Sequence, residues 1–102
     1  MVHKALASLS KAFPVFATAK VAQRWAGLID VTPDAVPVIS PVEERPGLVI
    51  ATGFSGHGFG LGLGAGRLAA DLATGAKSIV DPGDFRFSRF SDGSPIRPLT
   101  GV

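Results

Sequence analysis

A chain of 102 residues is bounded to one modest domain or to part of a larger one. With 46% hydrophobic residues, 18% charged residues and a mean hydropathy of +0.35, it is too apolar for intrinsic disorder and suggests missing partners. A net charge of +2 makes no case for nucleic acid, and the absence of cysteine excludes disulfides, thiolate metal sites and a cysteine nucleophile, so a cytoplasmic chain is expected.

At the N-terminus, Val2, Ala5, Leu6, Leu9, Ala12, Phe13 and Phe16 recur at helical spacing. Pro14 must end or bend that helix near Phe13. The polar face holds too few bases for a membrane-surface helix, no apolar run reaches the length of a membrane span, and no leader-like segment is expected. Between Lys20 and Val31, the residues Val21, Trp25, Leu28, Ile29 and Val31 predict a strand of strong β formers. Thr32-Pro33-Asp34-Ala35 predicts a turn, Val36 to Ile39 a short returning strand on a sheet edge, and Pro41 to Gly47 a solvated hairpin tip.

The stretch from Leu48 to Thr74 organises the rest. Leu48 to Ala51 is a continuous apolar run, as expected of a short strand covered on both faces. From Leu61 the apolar residues Leu61, Ala65, Leu68, Ala69 and Leu72 fall three or four apart on one side of a helix, and Gly75 stands where a C-cap is wanted. Glycines inside a helix each cost about 0.5–1 kcal/mol relative to alanine. Yet Gly60 and Gly64 are four apart, as are Gly62 and Gly66, leaving a flat strip on which a backbone or flat ligand can lie close. The preceding turn, Gly53 to Gly60, can present several backbone N–H groups at a helix N-terminus, a recipe for an anion or an electron-rich ring carbonyl.

Beyond the helix, Ser78 to Asp81 predicts a brief strand closed by Pro82-Gly83, Phe85 to Phe90 a tail docking its phenylalanines on a neighbouring domain, and Gly93 to Val102 a loop.

Standard catalytic motifs fail. A nucleophile elbow needs glycine at the position of His57, and Gly75-Ala-Lys-Ser78 lacks the glycine pattern of a phosphate loop. His3 and His57 have no clustered ligand spacing around them, so no metal site is expected, and His57 alone reads as a packing or backbone-bonding residue. Gly60-Leu-Gly-Leu-Gly-Ala65 matches a dinucleotide fingerprint but begins well past the strand end, and no further βα units follow it.

Taken in order, Arg24-Trp-Ala-Gly-Leu-Ile-Asp-Val-Thr-Pro-Asp34, Val36-Pro-Val-Ile39, Gly47-Leu-Val-Ile-Ala-Thr-Gly-Phe-Ser-Gly-His-Gly-Phe-Gly60 and Gly64-Ala-Gly-Arg-Leu-Ala-Ala-Asp-Leu72 resemble the C-terminal end of FAD-dependent amino-acid oxidoreductases. This is the family of D-amino-acid oxidase and dehydrogenase, glycine oxidase and sarcosine oxidase. The resemblance implies an α+β fragment: an N-terminal helix, substrate-domain-type antiparallel strands, then a strand, glycine-rich turn and helix of the FAD domain. It divides the chain into residues 1–46 on the substrate side, 47–81 on the FAD side and 82–102 as an extended tail. It implies FAD as cofactor, with Ser55, Gly56, His57, Gly58, Phe59 and Gly60 near the flavin, and no assignable catalytic residue. The family's N-terminal G-x-G-x-x-G unit has no counterpart, so the expected partner is a missing FAD-binding portion or subunit, and the isolated chain is expected not to retain FAD. Self-association into a homo-oligomer is expected from orphaned apolar faces. The competing expectation is a non-enzymatic small α/β interaction or anion-binding module.

Overall fold

The computed structural model describes residues 1–99. Helix α1 spans Val2–Ala12 and is followed by a 3-10 turn at Pro14–Phe16. Strand β1 (Val38–Pro41) and strand β2 (Val49–Thr52) precede helix α2 (Gly58–Thr74), and two further 3-10 turns occupy Pro82–Phe85 and Phe87–Phe90. An N-terminal helix, an antiparallel hairpin and a second helix make an α+β fragment.

Helix α1 ends where Pro14 dictates, since proline has no N–H to continue the helical ladder. The chain folds back through Phe13 and Phe16, whose rings meet edge to face at 6.5 Å, and Ser10 Oγ donates to the Leu6 carbonyl at 2.9 Å. None of the α1 residues is buried. The apolar face read from the sequence is present, and the 3-10 turn that folds back on it leaves Val2 and Leu6 half-buried.

Residues from Lys20 to Asp30 form no strand, contrary to the expectation, and only Val31 bridges to Phe54. Strong β formers are insufficient by themselves: a strand needs a partner edge, and every residue from Lys11 to Val31 is exposed. Ser78–Asp81 likewise makes no strand; Asp81 instead accepts from the Gly83 N–H at 2.9 Å and caps the following 3-10 turn.

The two strands pair antiparallel, with Ile39 opposite Ala51 and Ser40 opposite Ile50. The intervening Val42–Leu48 is the expected hairpin tip, closed by the Val42 N–H to the Leu48 carbonyl at 3.0 Å. Burial differs from the expectation. Val38, Ile39 and Ser40 of β1 are buried, whereas Val49 and Ile50 are half-buried and Ala51 and Thr52 exposed: α2 packs on both strands, and the two 3-10 turns of the tail pack on β1.

Helix α2 starts at Gly58, three residues before the apolar periodicity begins, and ends at Gly75 in the left-handed conformation (φ 70°). The Ala76 N–H closes that cap on the Asp71 carbonyl at 2.9 Å. Ala65 and Leu68 pack on Ile39 to form the core, joined by Phe54, Ala69, Leu72 and Phe85. Beside it lies an apolar cavity of about 420 Å³ between Val36, Leu61, Leu68, Val80 and Phe85. Among the described residues, no helix is long and apolar enough to cross a membrane.

In the tail, Phe85 packs against the core, and the residue buried most deeply is an arginine. Arg89 is buried while Phe87 and Phe90 remain exposed. Its guanidinium binds Asp34 and the Val36 and Arg86 carbonyls, and it stacks 4.2 Å from the Phe90 ring centroid.

Candidate functional site

The turn between β2 and α2 is shaped by three left-handed residues. Gly53 (φ 68°) and Gly56 (φ 85°) take that conformation without steric cost, but Ser55 (φ 51°) carries a side chain into it. Its neighbours hold it there. The Ser55 N–H donates to the Asp30 carbonyl at 3.1 Å, Ser55 Oγ accepts from the Thr32 N–H at 3.2 Å, and the same hydroxyl lies 3.2 Å from the Gly53 carbonyl. Asp30 Oδ2 adds bonds from Thr52 Oγ1 (2.9 Å) and the Gly53 N–H (3.0 Å). The segment Asp30–Thr32 thus clasps Thr52–Ser55 from the side.

The clasp also explains glycine at position 53. A Cβ there would collide with the Thr32 methyl group, apart from its positive φ.

After Ser55, the His57 N–H donates to the Phe54 carbonyl at 2.8 Å and the His57 carbonyl accepts from the Leu61 N–H at 3.1 Å, which starts α2. His57 is the N-cap residue but supplies no side-chain cap. The N–H groups of Gly58, Phe59 and Gly60 precede the first intrahelical bond, and none has an acceptor among the described residues. They gather at the positive end of the helix dipole.

The six residues singled out from sequence therefore lie on one continuous turn, in different settings. Ser55 is buried with its hydroxyl committed inward, Gly58 is half-buried under Phe54, and Gly56, His57 and Gly60 are exposed. Phe59 is fully exposed, at 105%. Along α2, a Cβ added at Gly60, Gly62, Gly64 or Gly66 meets nothing within 4 Å. Gly60 with Gly64 and Gly62 with Gly66 form two rows on different sides of the helix, both open, at a real cost in helix propensity. No contact within the described chain requires them.

Three N–H groups without an acceptor among the described residues, at the positive end of a helix dipole, can take an anion or an electron-rich oxygen; Gly56, Gly58 and Gly60 put no side chain there, while the Phe59 ring projects fully exposed beside them. The turn lacks the parts of a self-contained catalyst. Ser55 Oγ does not face His57, and the His57 side chain makes no hydrogen bond among the described residues.

Sequence reasoning overlooked Asp30, Thr32, Asp34 and Arg89. Thr32 and Asp34 were legible as turn formers, and the Val36 N–H indeed bonds Asp34 Oδ1 at 3.1 Å. Their long-range partners, Ser55 and Arg89, left no local signal.

Residues 1–72 match the family model described as FAD dependent oxidoreductase. The chain is 33% identical over 84 residues to a D-amino acid dehydrogenase from Granulibacter bethesdensis, covering 82% of this chain and 20% of that protein. It is 35% identical over 79 residues to a glycine oxidase from Pseudomonas aeruginosa, covering 78% of this chain and 22% of that protein. Among solved structures, L-amino acid deaminase from Proteus vulgaris superposes with a TM-score of 0.74 at 38% identity, over 87% of this chain and 20% of that one. The chain thus spans about a fifth of the length of the curated relatives it matches. With most of its length matched by the family model and its strand, turn and helix arranged as above, the chain belongs to the FAD dependent oxidoreductase family.

Proposed function

We propose that this chain is the C-terminal part of a flavoprotein oxidoreductase that oxidises amino acids at their CH–NH bond. The observation that carries the reading is the turn itself: a clasped, strained Ser55 leading into three N–H groups without an acceptor among the described residues, at the start of a helix with open glycine positions at 60, 62, 64 and 66. FAD, when bound, supplies the chemistry by accepting a hydride from the substrate carbon. The residues of this chain bind and orient. The N–H groups of Gly58, Phe59 and Gly60 offer partial positive charge to the pyrimidine edge of the ring, Gly56 and Gly60 leave room for it, and Ser55 and His57 fix the path of the backbone. Names among the relatives, D-amino acid dehydrogenase and glycine oxidase, support an α-amino acid as substrate.

On this reading, residues 1–46 belong to the substrate side and 47–81 to the FAD side, with 82–102 as the tail. The hairpin joins the first two directly, through β1 and β2. The partner is an N-terminal FAD-binding portion or subunit, without which the chain does not retain FAD. Exposed Trp25 and Leu28, and a helix α1 none of whose residues is buried, support self-association when that portion is absent. A cytoplasmic site of action, resting on the cysteine-free composition, is part of the same proposal.

The test is an absorbance spectrum after FAD addition and desalting. It is taken on the chain alone and on the chain co-expressed with Pseudomonas aeruginosa glycine oxidase lacking the matched stretch. Flavin bands retained in the co-expressed sample and lost from the chain alone are expected. Colourless protein in both overturns the reading and favours a small anion-binding module using the same free N–H groups.

A further inference from the structure

Resting on the reading of the Ser55–Gly60 turn given above, we propose that Thr32 is the positioning residue of that turn, holding Ser55 left-handed and thereby fixing the direction of the free N–H groups that open α2. A serine is an uneconomical choice at φ 51°, where glycine would sit without strain, so its side chain must be needed. The structure supplies the need. Ser55 Oγ accepts from the Thr32 N–H at 3.2 Å and lies 3.3 Å from Thr32 Oγ1.

Thr32 is itself fixed from the opposite side. Its hydroxyl donates to the Val36 carbonyl at 2.9 Å, and its carbonyl accepts from the Ala35 N–H at 3.0 Å. The Thr32 methyl fills the space where a side chain on Gly53 would stand. One residue therefore ties two turns together: 32–35, anchored to the tail through Asp34 and Arg89, and 53–56, which aims the start of α2. Asp30 holds the first half of the 53–56 turn through the Gly53 and Ser55 N–H groups, and the Ser55 hydroxyl is left to Thr32 and the Gly53 carbonyl. Gly56 and His57 are exposed, and a Cβ built on Gly56 meets nothing within 4 Å.

The experiment is amide hydrogen exchange on the full chain as wild type, Thr32→Val and Thr32→Ser, followed at Ser55 and His57 and, as core references, at Ile39 and Leu68. Thr32→Val keeps the shape but removes the hydroxyl. It is expected to speed exchange at Ser55 and His57 about tenfold, as the loss of about one hydrogen bond implies, with Ile39 and Leu68 unchanged. Thr32→Ser, which restores the hydroxyl, is expected to return both amides to the wild-type rate. Wild-type exchange in Thr32→Val, equal acceleration of all four amides, or a Thr32→Ser variant as fast as Thr32→Val each overturns the proposal. Should Thr32→Val not fold, Ser55→Gly tests the same link, because it relieves the strain and removes the hydroxyl. Fast exchange at His57 over an unchanged core supports the proposal, and unchanged His57 overturns it.

Flavin retention in the co-expressed complex separates the two readings. If the wild-type complex holds no flavin, the flavin reading fails while the exchange pattern still decides the role of Thr32. If it holds flavin, and Thr32→Val holds it equally well with the turn loosened, the positioning role is overturned.

Discussion

Arg89 and Asp34, 55 positions apart, meet fork to fork, with Nε to Oδ2 at 2.9 Å and Nη2 to Oδ1 at 3.1 Å, and only 5% of the arginine side chain is accessible. This pair joins the tail to the turn that precedes β1, and through Thr32 it abuts the turn that opens α2. The geometry is bidentate, and the Val36 carbonyl at 2.7 Å and the Arg86 carbonyl at 3.0 Å take two further N–H groups, so four of the five guanidinium donors are bonded.

Acid should weaken this joint. The hydrogen bond from Arg89 holds the Asp34 carboxyl below its usual value of 3.8, with further help from the Val36 N–H and against the opposing effect of burial. A depressed folded value means that the stabilisation is complete above 3.8 and is lost as pH falls through the lower folded value. Urea unfolding measured from pH 7 downward should show stability falling below that point, and Asp34→Asn should flatten the fall. Asp92, held down to about 2 by Ser94 and Arg86, lies at the surface, where solvent screens its ion pair, and should matter little to it.

Removing one partner should cost more than removing the tail aromatics. Arg89→Leu strands Asp34 against the body and is expected to cost about 3–5 kcal/mol. Phe87→Ala, at an exposed position, should cost well under half of that. Equal losses in denaturant titrations would mean that the ion pair contributes no more than an exposed ring.

Gly53→Ala should destabilise by at least about 1–2 kcal/mol from its left-handed backbone alone, with the clash against the Thr32 methyl added. Thr32→Ser removes that methyl. The double variant should therefore recover the steric part and leave the backbone part, a non-additivity that a double-mutant cycle in urea reads directly.

The open row of Gly62 and Gly66 predicts opposite effects in two settings. In the chain alone, Gly62→Ala and Gly66→Ala meet no neighbour and should each stabilise by about 0.5–1 kcal/mol. In the complex with a FAD-binding portion, the added methyl groups should lower flavin retention on desalting. A gain in both settings would mean that nothing lies on that row.

The exposed apolar surface predicts self-association. Trp25 is 85% and Leu28 105% accessible, and no residue of α1 is buried. Light scattering at micromolar concentration should report a dimer or larger species. A clean monomer would refute the expectation.

By itself the sequence determined the features whose causes are local. Pro14 stops α1, the three-and-four spacing from Leu61 to Leu72 makes α2 a helix with one buried side, and Gly75 ends it, because each depends on neighbours within a turn or two. The strand, turn and helix order around Ser55 was legible for the same reason, and so was the motif succession that resembled the family. What only the tertiary structure decided are pairings across long separations. Lys20 to Asp30 has strand-forming residues but pairs with no strand among the described residues, β2 leaves Ala51 and Thr52 exposed, and Asp30 and Thr32 gain their importance from Thr52 to Ser55. Arg89 looked like one charge among tail aromatics until Asp34 stood opposite it. Local propensity carries no information about which distant group will satisfy a buried donor or acceptor, and that choice is made when the layers pack.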